Sequence, residues 1–440
     1  MILWARHAAS PRPASKLLHG SSPSIRTLTH FKIVQHTTPV QHTRHYPGGA
    51  EPGHHNDLLL SVKQYIPKSE TGPSSNGLTI IGAHGNGLPS ELLEPFWDDF
   101  YEHVRSKGQH IRSIWVADQA HQGQSGIFNE EILGNDPSWF DHARDLLYLI
   151  NLKQKQMPQP LFGVGHSMGA AQLAYLAMLH PSLLQGLVLM DPVIQPTNPG
   201  RTSGIASTYR RDTWPSKQAA RESFAKSKLY QAWDPRVFDK WIEAGLRELP
   251  TELCSDAAQI EGSAPVTLTT TKEQEVYSYL RPLWKGVPGT VPLEDHENYS
   301  DFDPEAVEPD FPFYRPEASI LFRKLPELRP PTLYLTGKHS PLAGTELNRQ
   351  RLELTGSGVG GSGGAKAGCV SVTEMDCGHF VPMDEPIKSS GFAADFIGVE
   401  AAKWQQKMQL FQQQWKKEPR PESVMLDDEW RQRIGPRAPR

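Results

Sequence analysis

The stretch LFGVGHSMGAAQLA, Leu161 to Ala174, decides how the rest of the chain is read. It opens as a short, wholly apolar run of the kind that forms a buried strand. It closes as small and apolar residues suited to a helix. Between the two stands Gly165-His166-Ser167-Met168-Gly169. A G-x-S-x-G sequence is weak by itself. Between a strand and a helix it describes a sharp turn that lifts a serine hydroxyl above the edge of a sheet. The flanking glycines fit a turn too tight for side chains. The helix that begins after the serine aims its partial positive charge at the same point, where it favours an oxyanion. Ser167 is therefore the candidate nucleophile, and the amide of Met168 one candidate oxyanion donor.

Working outward, the same strand-and-helix rhythm repeats. DLLLSVKQYIP (Asp57 to Pro67) reads as the first strand, followed by GLTIIGA, SIWVAD, PLFGVG and GLVLMDP. ELLEPFWDDFYEHVRSKG, SWFDHARDLLYLINLK and MGAAQLAYLAMLHP read as helices between them, the first ending on Gly108 and the last before Pro181. Short apolar strands alternating with helices imply an α/β fold, with a mostly parallel central sheet flanked by helices. Its ligand site lies at the carboxyl ends of the strands. The rhythm stops near Gln195 and resumes with TLYLTG (Thr332 to Gly337) and CVSVTEM. The expected organisation is a leader or extension over 1–45 and a first core segment over 46–194. A cap inserted over 195–328 follows. A second core segment with a C-terminal helix spans 329–418, and a tail spans 419–440.

Among 440 residues, 38% are hydrophobic and 21% charged, and the formal net charge is −4. Nothing in that balance favours a nucleic-acid partner. No apolar run is long enough for a transmembrane helix. Cys254, Cys369 and Cys377 form neither a disulfide framework nor a zinc pattern, which fits an intracellular, reducing compartment. Residues 1–50 contain no Asp or Glu but do contain Arg6, Arg12, Lys16, Arg26, Lys32 and Arg44. That composition fits either a mitochondrial transit peptide or a disordered start. Gly356, Gly358 and Gly361 satisfy G-x-G-x-x-G. They follow a helix-like stretch and precede a strand, the reverse of a dinucleotide fingerprint, so they read as a loop. No cofactor and no metal is implied.

Three further positions complete the candidate chemistry. His84-Gly85-Asn86-Gly87 follows an early strand and offers Asn86 as the second oxyanion donor, with His84 read as a packed turn residue. His379 follows the last strand and can reach the serine as its base; His339 and His296 fall too early in the chain. The acid is the difficulty. It commonly follows a strand such as TLYLT, yet there the chain reads Gly337-Lys338-His339-Ser340-Pro341, without a carboxylate. Asp191, at the end of GLVLMDP, is the first choice, with cap residues Asp295, Asp301 and Asp303 behind it.

GHSMG, AHGNG, DQAHQGQS and GHFVPMDEP, in this order, resemble the α/β-hydrolase family. The segments HGNGLPSELLEPFWDDF, IRSIWVADQAHQGQSGIFNEE and LTTTKEQEV resemble more closely a fungal subgroup. It comprises peroxisomal lipase-like, toxin-biosynthesis and mycophenolic-acid-pathway acyl-CoA hydrolases. The resemblance implies a capped α/β-hydrolase acting on an apolar acyl ester or acyl-CoA thioester. In that subgroup the acyl-CoA hydrolase places its acid at the position of Asp191. Peroxisomal targeting is implied too, although the chain ends Arg437-Ala438-Pro439-Arg440 rather than in the usual tripeptide. In the cap, Arg210 and Arg211 are candidate partners for coenzyme A phosphates, and Trp214 with its aromatic neighbours for an acyl pocket. The final helix offers a possible homodimer contact. Lipase, carboxylesterase and carbon–carbon bond hydrolase chemistry remain open on the same triad, and a non-catalytic receptor is the reading from another class.

Overall fold

The computed structural model describes residues 25–27 (backbone only), 29–68, 77–254, 264–283, 299–306, 311–415 and 424–436. Its frame is a nine-stranded sheet. The strands are β1 (Ile25–Thr27), β2 (Phe31–Pro39), β3 (Leu59–Pro67), β4 (Leu78–Ala83), β5 (Ile111–Ala117), β6 (Leu161–His166), β7 (Leu187–Met190), β8 (Thr332–Gly337) and β9 (Val370–Met375). In space they run β1-β2-β3-β5-β4-β6-β7-β8-β9. The pairs from β5 to β9 are parallel, and β1 to β3 join one edge antiparallel. Every residue of β4, β6, β7 and β8 is buried, which explains their largely apolar spelling.

The register positions the site. His166 pairs with Met190, and Met190 with Leu335. The next residues, Ser167 and Asp191, therefore leave the sheet side by side. The ladder continues into them: Ser167 N–H donates to Met190 O at 2.9 Å, and Asp191 N–H to Leu335 O at 2.7 Å.

Helices α1 (Glu94–Ser106), α2 (Gly123–Phe128), α3 (Trp139–Leu152) and α4 (Met168–Leu179) connect the first strands. The cap holds α5 (Gly200–Tyr209), α6 (Lys217–Phe224), α7 (Lys228–Gln231), α8 (Pro235–Ala244) and α9 (Lys272–Tyr279). A small antiparallel sheet of 213–214, 266–268 and 246–248 ties them together. Then follow α10 (Glu317–Lys324), α11 (Thr345–Leu354), α12 (Val381–Asp384), α13 (Pro386–Trp415) and α14 (Asp428–Ile434). Among the described residues, no helix is long and apolar enough to cross a membrane.

Two boundaries differ from expectation. The leader does not extend to residue 45, because β2 is an inner member of the sheet with Phe31 and Ile33 buried. Arg44 lies in a buried ion pair with Asp145 at 2.6 Å, so its charge is structural. Residues 1–24, where most of the leader reading falls, lie outside the described residues. The cap ends before 328: Ala318, Leu321, Leu325 and Leu328 pack in the core cluster that includes α4 residues Ala174 and Ala177. The last helix begins at Pro386, and its first half buries Ala393, Ala394, Ile397 and Ala401 in the core cluster that also holds Phe100 and Val104 of α1. The glycine loop of 355–368 lies between α11 and β9, the order opposite to a dinucleotide site.

Candidate active site

Ser167 has φ 56° and ψ −120°, a conformation that L side chains rarely adopt. The two glycines around it are steric requirements. A Cβ on Gly165 would stand 2.9 Å from the backbone of Ala170, and one on Gly169 would stand 2.5 Å from the carbonyl oxygens of Ala83 and His84. The second clash matters most, because it is with the strand-end turn that carries Asn86. Among the described residues only one other non-glycine has positive φ, and it is Asp191 at 42°.

These two strained residues are joined through His379. His379 Nε2 lies 2.9 Å from Ser167 Oγ, and Nδ1 lies 2.5 Å from Asp191 Oδ2. Asp191 is fully buried. Its carboxylate receives two further donors from the turn after β8: the Gly337 N–H at 3.2 Å on Oδ1, and Ser340 Oγ at 2.5 Å on Oδ2. Buried Arg351 braces the turn after Asp191 by donating to the carbonyls of Pro192 at 2.9 Å and Ile194 at 3.0 Å. Buried His166 Nε2 donates to the His379 carbonyl at 2.9 Å. Burial pushes the His166 imidazole down to about 3, so it is a neutral donor.

The alternatives for base and acid are engaged elsewhere. His339 lies 3.0 Å from Asp376 on the exposed surface. Asp301 accepts from the hydroxyls of Tyr46 and Tyr314, and Asp303 pairs with Arg323. Asp295 and His296 lie outside the described residues. A further carboxylate faces the pocket: Asp384 Oδ2 accepts the Gly378 N–H at 3.2 Å, while its buried Oδ1 has no partner among the described residues. Burial pushes this carboxyl up to about 6.

The loop after β4 lies against Ser167: a Cβ on Gly85 would stand 3.3 Å from Ser167 Cβ. His84 is buried, with Nδ1 donating to Gly85 O and Nε2 accepting the Gln119 N–H, as a packed turn histidine should. The Asn86 side chain is fully engaged. Nδ2 donates to Glu275 O at 2.9 Å and Oδ1 accepts from Gln122 Nε2 at 2.5 Å.

Above Ser167 opens a cavity of about 710 Å³, walled by Trp139, Tyr230, Trp233, Trp241 and Phe380, with Arg210 and Glu275 among its few charged groups. Arg210 does reach the cavity, but its guanidinium is paired with Glu275 at 2.7 Å. Arg211 does not line it; Nε donates to Thr213 O at 2.7 Å. Trp214 does not line it either. It packs on Phe224 at 4.9 Å in the aromatic core of the cap. Aromatic and basic spelling alone does not separate cap packing from pocket wall. Gln122, Glu275, Ser340 and Arg351 escaped the sequence reading because their partners are distant in the chain or are main-chain atoms.

A model of the alpha/beta hydrolase family matches residues 80–388, from β4 into the first turn of α13. The chain belongs to this family. It is 37% identical over 423 residues to the type I acyl-CoA thioesterase mpaH of Penicillium roqueforti, covering 91% of this chain and 94% of that one. The corresponding thioesterase mpaH' of Penicillium brevicompactum is 38% identical over 411 residues, 88% of this chain and 91% of that one. An abhydrolase domain-containing protein of Alternaria alternata, AKT2, is 27% identical over 246 residues, 55% of this chain and 84% of its own. In structure the hydrolase resembles the peroxisomal alpha-beta-hydrolase Lpx1 of Saccharomyces cerevisiae, with a TM-score of 0.65, 14% identity, and coverage of 91% of this chain and all of that one. The last likeness is one of fold.

Proposed function

We propose that this hydrolase cleaves an apolar acyl-coenzyme A thioester through an acyl-enzyme on Ser167. The observation that carries the reading is the continuous hydrogen-bonded chain Ser167–His379–Asp191 at the floor of a largely aromatic cavity. Ser167 Oγ attacks the acyl carbonyl as His379 Nε2 takes its proton. Asp191 holds the imidazole by Nδ1–H and stabilises the imidazolium. The oxyanion forms at the amino end of α4, where the Met168 amide has no carbonyl of its own helix to meet. The main-chain amide of Asn86 is the second donor, since its side chain is already engaged. His379 returns the proton to the departing thiolate, then activates the water that releases the acid. Identity of 37–38% to two fungal acyl-CoA thioesterases supports the thioester over an oxygen ester. Carboxylesterase action on the same groups is the second reading, supported by the aromatic wall.

The test is a fluorophosphonate label read by intact mass, with Ser167→Ala alongside, followed by matched thioester and ester substrates. One adduct on the wild type, none on Ser167→Ala, and faster thioester turnover is the expected result. Faster turnover of the oxygen ester replaces the thioester by the second reading. A folded wild type that takes no label and turns over neither substrate removes the catalytic reading in favour of a receptor.

A further inference from the structure

The loop carrying Asn86 is held by groups that never touch the nucleophile. Gly87, at φ +69°, donates its N–H to Gln122 Oε1 at 2.9 Å. Gln122 Nε2 in turn donates to Asn86 Oδ1 at 2.5 Å, and Asn86 Nδ2 donates to the main-chain carbonyl of Glu275 in α9. The polarity of this relay is set at both ends by main-chain groups. A backbone N–H can only donate and a backbone C=O can only accept, so each amide between them has one workable orientation. The Glu275 carboxyl carbon lies so close under Gly87 that a Cβ there would stand 2.9 Å away. That carboxylate is itself held by Ser207 Oγ and Arg210 at 2.7 Å each. Helix α9 is also pinned to the core at Ser278, whose Oγ meets His121 at 2.8 Å and whose carbonyl accepts from Trp139 Nε1 at 2.8 Å.

We propose that Gln122 is a positioning residue for the oxyanion hole, and that it works by bracketing the Asn86–Gly87 peptide between the core and cap helix α9. The inference rests on the acyl-enzyme reading above. Gln122 is wholly buried and does not line the cavity, so it acts on substrate only through the loop. A side-chain amide offers both the acceptor that Gly87 needs and the donor that Asn86 needs from one planar group. A further consequence is that docking of the cap and polarisation of the carbonyl are one event. A cap that lifts at α9 withdraws Glu275 O from Asn86 and frees the loop to turn its amide away.

The experiment measures kcat, KM and inhibition by an acyl trifluoromethyl ketone, whose adduct with Ser167 carries the oxyanion. The variants are Gln122→Leu, which removes both bonds, and Gln122→Glu, which keeps the acceptor for Gly87 and loses the donor to Asn86. Asn86→Ala keeps the main-chain amide but cuts the relay, and stands in if Gln122→Leu does not fold. Glu273→Ala, exposed on α9, is the control. The expected result for Gln122→Leu is a fall in kcat of about 10²–10³, as for the loss of an oxyanion donor. KM should stay within about threefold and ketone affinity should drop by a matching factor. Gln122→Glu should lie between this and wild type, and Glu273→Ala should equal wild type. Unchanged kcat, or a kcat loss without the matching loss of ketone affinity, overturns the inference while leaving the hydrolase reading intact. A wild type inert to both thioester and ketone overturns both.

Discussion

Two neighbouring turns at the carboxyl edge of the sheet divide one task. The turn after β7 carries a carboxylate, Asp191, and holds it at positive φ against His379. The turn after β8, where such a carboxylate is commonly met, carries none. It supplies instead the Gly337 amide and the Ser340 hydroxyl, and both donate to Asp191. What the imidazole requires is an oxygen at Nδ1, and parallel register brings both turns within reach of that point. The source strand of such a carboxylate is therefore expected to be exchangeable, while the geometry at the histidine is not. The turn without the acid still takes part, because a buried carboxylate with unfilled lone pairs is costly.

The largest effect should come from the carboxylate itself. Asp191→Asn keeps the shape but offers His379 an amide, and kcat should fall by about 10⁴ with little change in KM. Steady-state kinetics on a thioester checks this; a rate within tenfold of wild type would mean that another group holds the imidazole. A double variant tests exchangeability directly. Asp191→Ser alone should be as slow as Asp191→Asn. Adding Ser340→Asp, which exchanges carboxylate and hydroxyl between the two turns, should recover about 10- to 100-fold of that loss, a coupling expected of groups in contact. No recovery in a folded double variant would mean that the strained backbone at Asp191 is needed in its own right.

This pair also shows where a sequence can be read. Ser167, His379 and the central strands follow from local patterns: a tight turn between strand and helix, buried apolar runs, and chain order. The absence of a carboxylate at Gly337 to Pro341 is itself visible, and together with the family resemblance it points to Asp191, whose carboxylate the structure brings to His379. Ser340 was not, since a serine in a turn has many local uses and its partner here lies 149 positions away. The same holds for Arg44, whose acid lies 101 positions on, so that the sequence alone does not show its charge to be structural. Strand β2 is hard to read because only Phe31, Ile33 and Thr38 of its nine residues are buried, leaving a polar spelling, FKIVQHTTP, with little periodicity. Arg211 and Trp214, which do not line the cavity, differ again. Their composition suits a pocket and a packed cap equally, and only the fold of the cap decides between them.

Ser340→Ala should cost less than any change at Asp191. It removes one of the two donors contributed by the neighbouring turn and leaves the carboxylate, its Gly337 contact and its histidine in place. A hydrogen bond to a charged group is worth about 1.5–3 kcal/mol. Only the part that differs between ground and transition states reaches kcat, so a loss of about tenfold is expected. A loss as large as that of Asp191→Asn would show that the second turn orients the acid rather than merely solvating it.

The smallest effect concerns Asp384, the other carboxylate near His379 and the natural rival to Asp191. Its surroundings are the opposite of Asp191's: among the described residues, one backbone donor on Oδ2 and none on a buried Oδ1, and a carboxyl raised by burial from 3.8 to about 6. A folded-state value above the unfolded one means that the folded chain binds this proton more tightly. The stability contributed is therefore present below about pH 4, declines as the pH rises toward 6, and is gone above it, where the carboxylate is a standing cost. Asp384→Asn removes the charge but keeps the shape and an acceptor for Gly378. It should leave kcat within about threefold and raise Tm by about 2–4 °C at pH 7.5, with the gain shrinking toward zero near pH 4. Thermal unfolding at the two pH values separates the outcomes. A gain independent of pH would mean that packing, not ionisation, governs the site. A 10⁴-fold loss of kcat would make Asp384 the acid and reduce Asp191 to the structural member of the pair.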